Sequence, residues 1–268
     1  MFEDDEIAVH VVSSSSDTLI FAFNNLATLA KGDFVWGESF LAPTGFARIT
    51  FMAKRENWFP VSSMRRAADT IRKEIEKYPF RVAFGNSMGA YAAIKFADLL
   101  SVTAVLSFCP QYSIDPNIVS KFDARFTRYF KPELAGMEIS SADVNCPVFI
   151  FLDPFCQEDL RHSNLIGESI NVERIQVYYT GHQTVRCIAH PIRFSRLVEL
   201  ATKNSNPEPA MRADFIKWRR TDPYYLIALG DGLRRSGRES SAVALYRRGL
   251  AIPRLTLEYQ TLIERRLK

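Results

Sequence analysis

Gly85-Asn86-Ser87-Met88-Gly89 follows the short apolar run Arg81-Val82-Ala83-Phe84 and precedes Ala90-Tyr91-Ala92-Ala93-Ile94-Lys95-Phe96-Ala97, a helix-prone stretch. The pattern is G-x-S-x-G at a point where a strand turns into a helix. A serine at the tip of such a turn sits in strained backbone, and the flanking glycines remove the Cβ atoms that would collide with the packed strand and helix. Its hydroxyl is pushed out where a substrate can reach it, which makes Ser87 a candidate nucleophile.

Outward from this turn, Ile7 to Val12, Thr18 to Phe23, Ala47 to Met52, Arg81 to Phe84, Thr103 to Phe108, Pro147 to Leu152 and Arg174 to Tyr179 read as strands. Most are continuous apolar runs, as expected of strands covered on both faces. Helical patterns lie between them, clearest at Ser62 to Tyr78, Met88 to Leu100, Glu158 to Ser169 and Thr184 to Thr202. This alternation predicts an α/β protein with a doubly wound, mainly parallel sheet.

The polar, proline-rich stretch Lys203-Asn204-Ser205-Asn206-Pro207-Glu208-Pro209 ends that pattern. The chain of 268 residues, 47% hydrophobic, therefore divides into a main domain over 1–203 and a small helical unit over 210–268. In the latter, Leu226, Leu229, Gly230, Leu233, Gly237, Ala242, Tyr246, Gly249 and Pro253 resemble one tetratricopeptide repeat. A lone repeat cannot bury its own apolar face, so it is expected to pack on the main domain or on another subunit. A plain helical cap and a module for a protein partner or self-association are both open readings.

Residues 211–268 hold 13 of the 34 Lys+Arg but 6 of the 30 Asp+Glu, which leaves this tail at +7 and the rest at −3. The arginines fall mostly on polar helix faces, so a solvated surface explains them. No nucleic-acid motif is present in the sequence. No apolar run approaches the ~20 residues that span a bilayer, and the acidic start Met1-Phe2-Glu3-Asp4-Asp5-Glu6 differs from a basic secretory leader. A cytoplasmic location is expected. Cys109, Cys146, Cys156 and Cys187 show no C-x-x-C spacing, so neither a disulfide framework nor a metal site is indicated, and no cofactor is called for.

A serine hydroxyl needs a base within hydrogen-bonding reach, and that base needs a carboxylate to fix its tautomer. Where the nucleophile sits on such an elbow, the chain order is Ser, then acid after a later strand, then His after the last strand. His182 fits: Thr180-Gly181-His182 is a small-residue loop after the final strand. His10 lies within a strand pattern, and His162 and His190 within helical ones. The acid must come from Leu152-Asp153-Pro154-Phe155-Cys156-Gln157-Glu158-Asp159. Asp153 ends the strand before a proline and suits loop shaping, whereas Asp159, at a helix start, can reach the final loop and is favoured. Backbone N–H groups must also face the developing oxyanion. Met88, after the serine, offers one. Asn24 is chosen for the other, with Asn25 second.

With these residues in place the chain resembles the α/β-hydrolase superfamily over about residues 6–202, through the elbow, the Ser87, Asp159, His182 order and the strand succession. The resemblance implies an acyl-enzyme mechanism: attack by Ser87 on an ester-like carbonyl, proton transfer through His182, and release by water. It also implies a lid-like insertion, here about 110–144, in which Tyr112, Phe122, Phe126, Tyr129 and Phe130 stand beside Lys121, Arg125 and Arg128. Such a mixture suits an acyl or glycan substrate and contact with an anionic group, or packing of the lid onto the sheet. A serine hydrolase for a carboxylic ester or thioester is the leading expectation. An acyltransferase on the same residues and a non-catalytic interaction scaffold are the alternatives.

Overall fold

The computed structural model describes residues 2–253 and 255–268. Its strands are β1 (Phe2–Glu3), β2 (Ile7–Val12), β3 (Thr18–Phe23), β4 (Ala47–Ala53), β5 (Phe80–Asn86), β6 (Ala104–Phe108), β7 (Val148–Leu152) and β8 (Glu173–Gln176). They form one sheet in the order β1-β2-β4-β3-β5-β6-β7-β8. The β1–β2 and β2–β4 pairs are antiparallel, and every pair from β4–β3 to β7–β8 is parallel.

The helices are α1 (Glu38–Leu41), α2 (Val61–Ile75), α3 (Met88–Lys95), α4 (Pro116–Val119), α5 (Gln157–Ser169), α6 (Pro191–Lys203), α7 (Glu208–Trp218), α8 (Pro223–Arg235), α9 (Glu239–Leu250) and α10 (Leu257–Leu267). Successive side chains of a strand point to opposite faces, and β3 shows what this does here. Leu19, Phe21 and Phe23 join a core with Met64 and Ile71 of α2 and Tyr91 of α3. Ile20 and Ala22 join the opposite core, with Phe194 and Leu197 of α6 and Phe215 of α7. Two apolar layers on one sheet are the doubly wound architecture that the continuous apolar strands predict.

Two local expectations shift. The last strand stops at Gln176 instead of Tyr179, because Tyr179 takes a left-handed φ of 65° that no strand accommodates. The helix expected over Thr184 to Thr202 is broken: a 3-10 segment covers Gly181–Ile188, and α6 starts at Pro191 with His190 extended before it. Proline disfavours helical backbone in the residue ahead of it, which accounts for the break.

The polar break at 203–209 does not end the main core. Met211, Phe215 and Trp218 of α7 are buried in the layer that holds α6. After it, α8, α9 and α10 share a small core of Ile227, Ala242, Tyr246 and Ile263. A Cβ at Gly230 would meet the Tyr246 ring at 2.5 Å, so glycine sets the close approach of α8 to α9. Arg186–Asp222 at 3.2 Å and Arg219 Nη1 donating to Tyr178 O at 3.1 Å tie the segment between α7 and α8 to the loop after β8. Among the described residues no helix is long and apolar enough to cross a membrane.

Candidate active site

The β5–α3 turn shows why its two glycines are there. A Cβ on Gly85 would run into the Gly89 carbonyl group, and one on Gly89 into Phe23 O. Between them Ser87 has φ 55° and ψ −119°, a conformation that costs on the order of 1–3 kcal/mol and persists only if its surroundings hold it. They do so through Ser87 N donating to Phe108 O at 2.9 Å and Tyr91 N donating to Ser87 O at 3.0 Å. Ser87 lines a cavity of about 280 Å³, together with Leu26, Ala27, Phe126, Tyr129 and His182.

Three of the residues read from the sequence meet there. Ser87 Oγ is 2.9 Å from His182 Nε2, and His182 Nδ1 is 2.8 Å from Asp159 Oδ2. Asp159 occupies the first turn of α5 and is buried. Burial pushes its carboxyl group up, but the bonds from His182 and the charge of Arg125 outweigh that, so its pKa lies below the usual carboxylate value.

Asp153 does different work. Its Oδ1 accepts from Phe155 N at 3.0 Å, and its Oδ2 accepts from both Thr180 N and Gly181 N at 2.8 Å. The carboxylate thus pins the loop that carries His182, with Gly181 at a φ of 58° that favours glycine.

The Met88 N–H is the first of α3 and has no acceptor within the helix. Asn24 is corrected as the second oxyanion donor. Its backbone N–H donates to Phe51 O at 3.3 Å, and its side-chain amide donates to Asn25 O and Thr28 O at 3.2 and 2.9 Å. Its Oδ1 accepts from Ala53 N at 2.7 Å. Every donor of Asn24 is therefore engaged, with β4 or within the loop after β3, while Asn25 borders the cavity.

Four further residues enter here through contacts that the sequence does not show. Gln111, fully buried after β6, donates from Nε2 to Ser87 Oγ at 3.2 Å, on the hydroxyl that also faces His182. Arg125 donates from Nη2 to Asp159 Oδ1 and to Asp123 Oδ2, both at 2.8 Å. Asp123 in turn is 3.0 Å from His162 Nε2, and His162 Nδ1 accepts from Tyr112 N at 3.1 Å. One guanidinium therefore bridges two Asp–His pairs. The positive charge of Arg125 was legible within the 110–144 segment, but its partner 34 residues further on was not.

Cys109, Asp159 and His182 offer ligand atoms within 4.8 Å of one another. They do not fit a metal. Both imidazole nitrogens are engaged, and burial pushes the Cys109 thiol well up, against the thiolate that a metal needs.

The chain matches no protein-family model and no curated protein. Among solved structures, a candidate thioesterase from Silicibacter sp. tm1040 superposes with a TM-score of 0.53 at 14% identity, covering 75% of this chain and 82% of its own. The capsule O-acetyltransferase of Neisseria meningitidis serogroup A gives 0.53 at 11% identity, covering 74% and 93%. The sheet, its flanking helices and these likenesses give the chain the α/β-hydrolase fold.

Proposed function

We propose that this chain is a serine hydrolase that cleaves a carboxylic ester or thioester through an acyl-enzyme on Ser87. The supporting observation is the hydrogen-bond chain from Asp159 through His182 to Ser87 Oγ, at 2.8 and 2.9 Å. In this reading Ser87 Oγ attacks the carbonyl carbon as His182 Nε2 takes its proton. Asp159 holds the tautomer and stabilises the imidazolium without being protonated. The Met88 N–H and, in place of Asn24, the Asn25 N–H receive the oxyanion. His182 then protonates the leaving oxygen or sulfur as its bond to the acyl carbon breaks. Water, deprotonated by His182, releases the acid and restores Ser87.

A scaffold has no use for these features. The strained Ser87 backbone costs stability, and neither it nor the buried Asp159–His182 bond serves a binding surface. An acyltransferase on the same triad is the second reading. It is favoured by an open cleft of about 770 Å³ that also borders His182 and has room for an acceptor alcohol. A cytoplasmic location completes the proposal, supported by four cysteines that are all unpaired thiols.

Ser87→Ala tests the reading. Hydrolysis of p-nitrophenyl acetate should fall to the residual level left by binding and the oxyanion donors, with the melting temperature retained. Undiminished turnover by the folded variant would overturn the enzyme assignment.

A further inference from the structure

His182 borders two spaces that differ in size. The cavity over Ser87 is about 280 Å³, with Leu26, Phe126 and Tyr129 on its walls beside Asn25, Glu56 and Gln183, and its size suits a small acyl group. The second, about 770 Å³, lies between the loop after β7, the His182 loop and α8. That volume falls within the ~300–1,000 Å³ of sites that enclose most of a small-molecule ligand.

The α8 wall is one helical face: Tyr224, Ala228, Asp231, Gly232 and Arg235 recur at spacings of three and four. Ala228 and Gly232 are the small members, and their size keeps the cleft open. A Cβ at Gly232 would make only ordinary contact with the Tyr179 ring, at 3.4 Å. The opposite wall carries Phe155, which is 58% exposed and stands edge-on to Tyr179 with ring centroids 4.9 Å apart. Phe155 therefore offers an accessible aromatic face at the cleft.

The polar groups narrow the ligand class. Asp153, Glu158 and Asp231 line the cleft with Arg235, and Asp231 is itself paired with Arg266, so the lining has no cationic surplus to draw in a phosphate-bearing group. Charged groups along the walls also disfavour a lipid chain. Asp153 is engaged with Thr180 and Gly181, and Asp231 with Arg266 and Tyr246. Glu158, which accepts from the Cys156 thiol at 3.6 Å, and Arg235 face the cleft beside aromatic rings, a pairing that suits ring C–H faces and hydroxyls together.

We propose that this cleft holds the alcohol half of the substrate, and that this half is an uncharged saccharide. The proposal rests on the serine-hydrolase reading above. In the step it adds, the bond between the acyl carbon and a sugar oxygen breaks, His182 gives its proton to that oxygen, and the acyl group stays on Ser87. The helical tail is then a wall of the substrate site, not a detached module.

The test compares two acetyl esters on the full-length protein, p-nitrophenyl acetate and β-D-glucose pentaacetate, alongside labelling of Ser87 by a small fluorophosphonate. The wild type should hydrolyse both. Ala228→Trp, which fills the cleft, should lower the ratio of kcat/KM for the sugar ester over p-nitrophenyl acetate at least tenfold. Arg235→Ala, a change at an exposed position, should lower that ratio at least threefold through KM, and it decides the matter if the tryptophan variant does not fold. Labelling of Ser87 without turnover of the sugar ester, or a ratio unchanged in the folded variants, would overturn the saccharide assignment alone. An unlabelled Ser87 would instead overturn the hydrolase reading beneath it.

Discussion

Arg125 Nη2 and Asp159 Oδ1 lie 2.8 Å apart, so the carboxylate that holds His182 also carries a guanidinium from the segment between β6 and β7. Because Arg125 also holds Asp123, loss of this one side chain leaves two buried carboxylates without their charge partner.

That arrangement sets the acid stability. For both Asp123 and Asp159, burial raises the pKa, but the bonds outweigh it: His162 and Arg125 for the first, His182 and Arg125 for the second. A depressed native pKa adds stability above the unfolded value of about 4, and that stability is lost as pH falls through the native value. Arg125→Met should therefore cost about 2–3 kcal/mol at neutral pH, less than a fully buried pair because Arg125 is 30% exposed. The gap in melting temperature to the wild type should be widest above about pH 5 and narrow below about pH 4. Calorimetry from neutral to acid pH checks this, and a gap constant with pH would contradict it.

The two candidate acids separate by kinetics. Asp159→Asn should lower kcat by about 10³–10⁴-fold, since an amide cannot hold His182 in the required tautomer, and it should also lower stability at neutral pH by removing the charge that Arg125 pairs with. Asp153→Asn should act mainly on the fold. Only one amide oxygen remains to accept the bonds now made to Phe155, Thr180 and Gly181, so the melting temperature should fall and kcat should change far less. The opposite ranking in kcat would move the triad acid to Asp153.

The tail boundary is open to test by truncation. Met211, Phe215 and Trp218 are buried in the main core, each contributing roughly 1.5–3 kcal/mol. A protein ending at residue 209 should lose cooperative unfolding or aggregate, while one ending at 222 should keep a cooperative transition at lower temperature. Calorimetry and light scattering read both, and equal behaviour of the two would contradict the placement of α7.

The legible parts of the molecule are those whose signals are local. Strands such as Thr18–Phe23 are buried on both faces and so read as unbroken apolar runs. The elbow is a five-residue pattern whose glycines answer to contacts that any strand-to-helix turn of this kind imposes. The order of Ser87, Asp159 and His182 follows the order of the strand ends that carry them. The rest depends on contacts between distant segments. Asn24 looks like a donor in the sequence, and only the loop it closes, through Ala53 and Thr28, shows its groups to be engaged. The Arg125 bridge and the Gln111 bond to Ser87 join residues 34 and 24 apart, which no periodicity records. Polarity places a boundary near 209, but α7 returns to the sheet with three buried side chains spaced by three and four.

The most direct measurement is fluorophosphonate labelling of the full-length protein followed by peptide mapping. A single adduct on Ser87, lost in Ser87→Ala and strongly slowed in His182→Ala, is the expected result. A folded wild-type protein with no adduct, or with its adduct on another residue, would contradict the acyl-enzyme assignment.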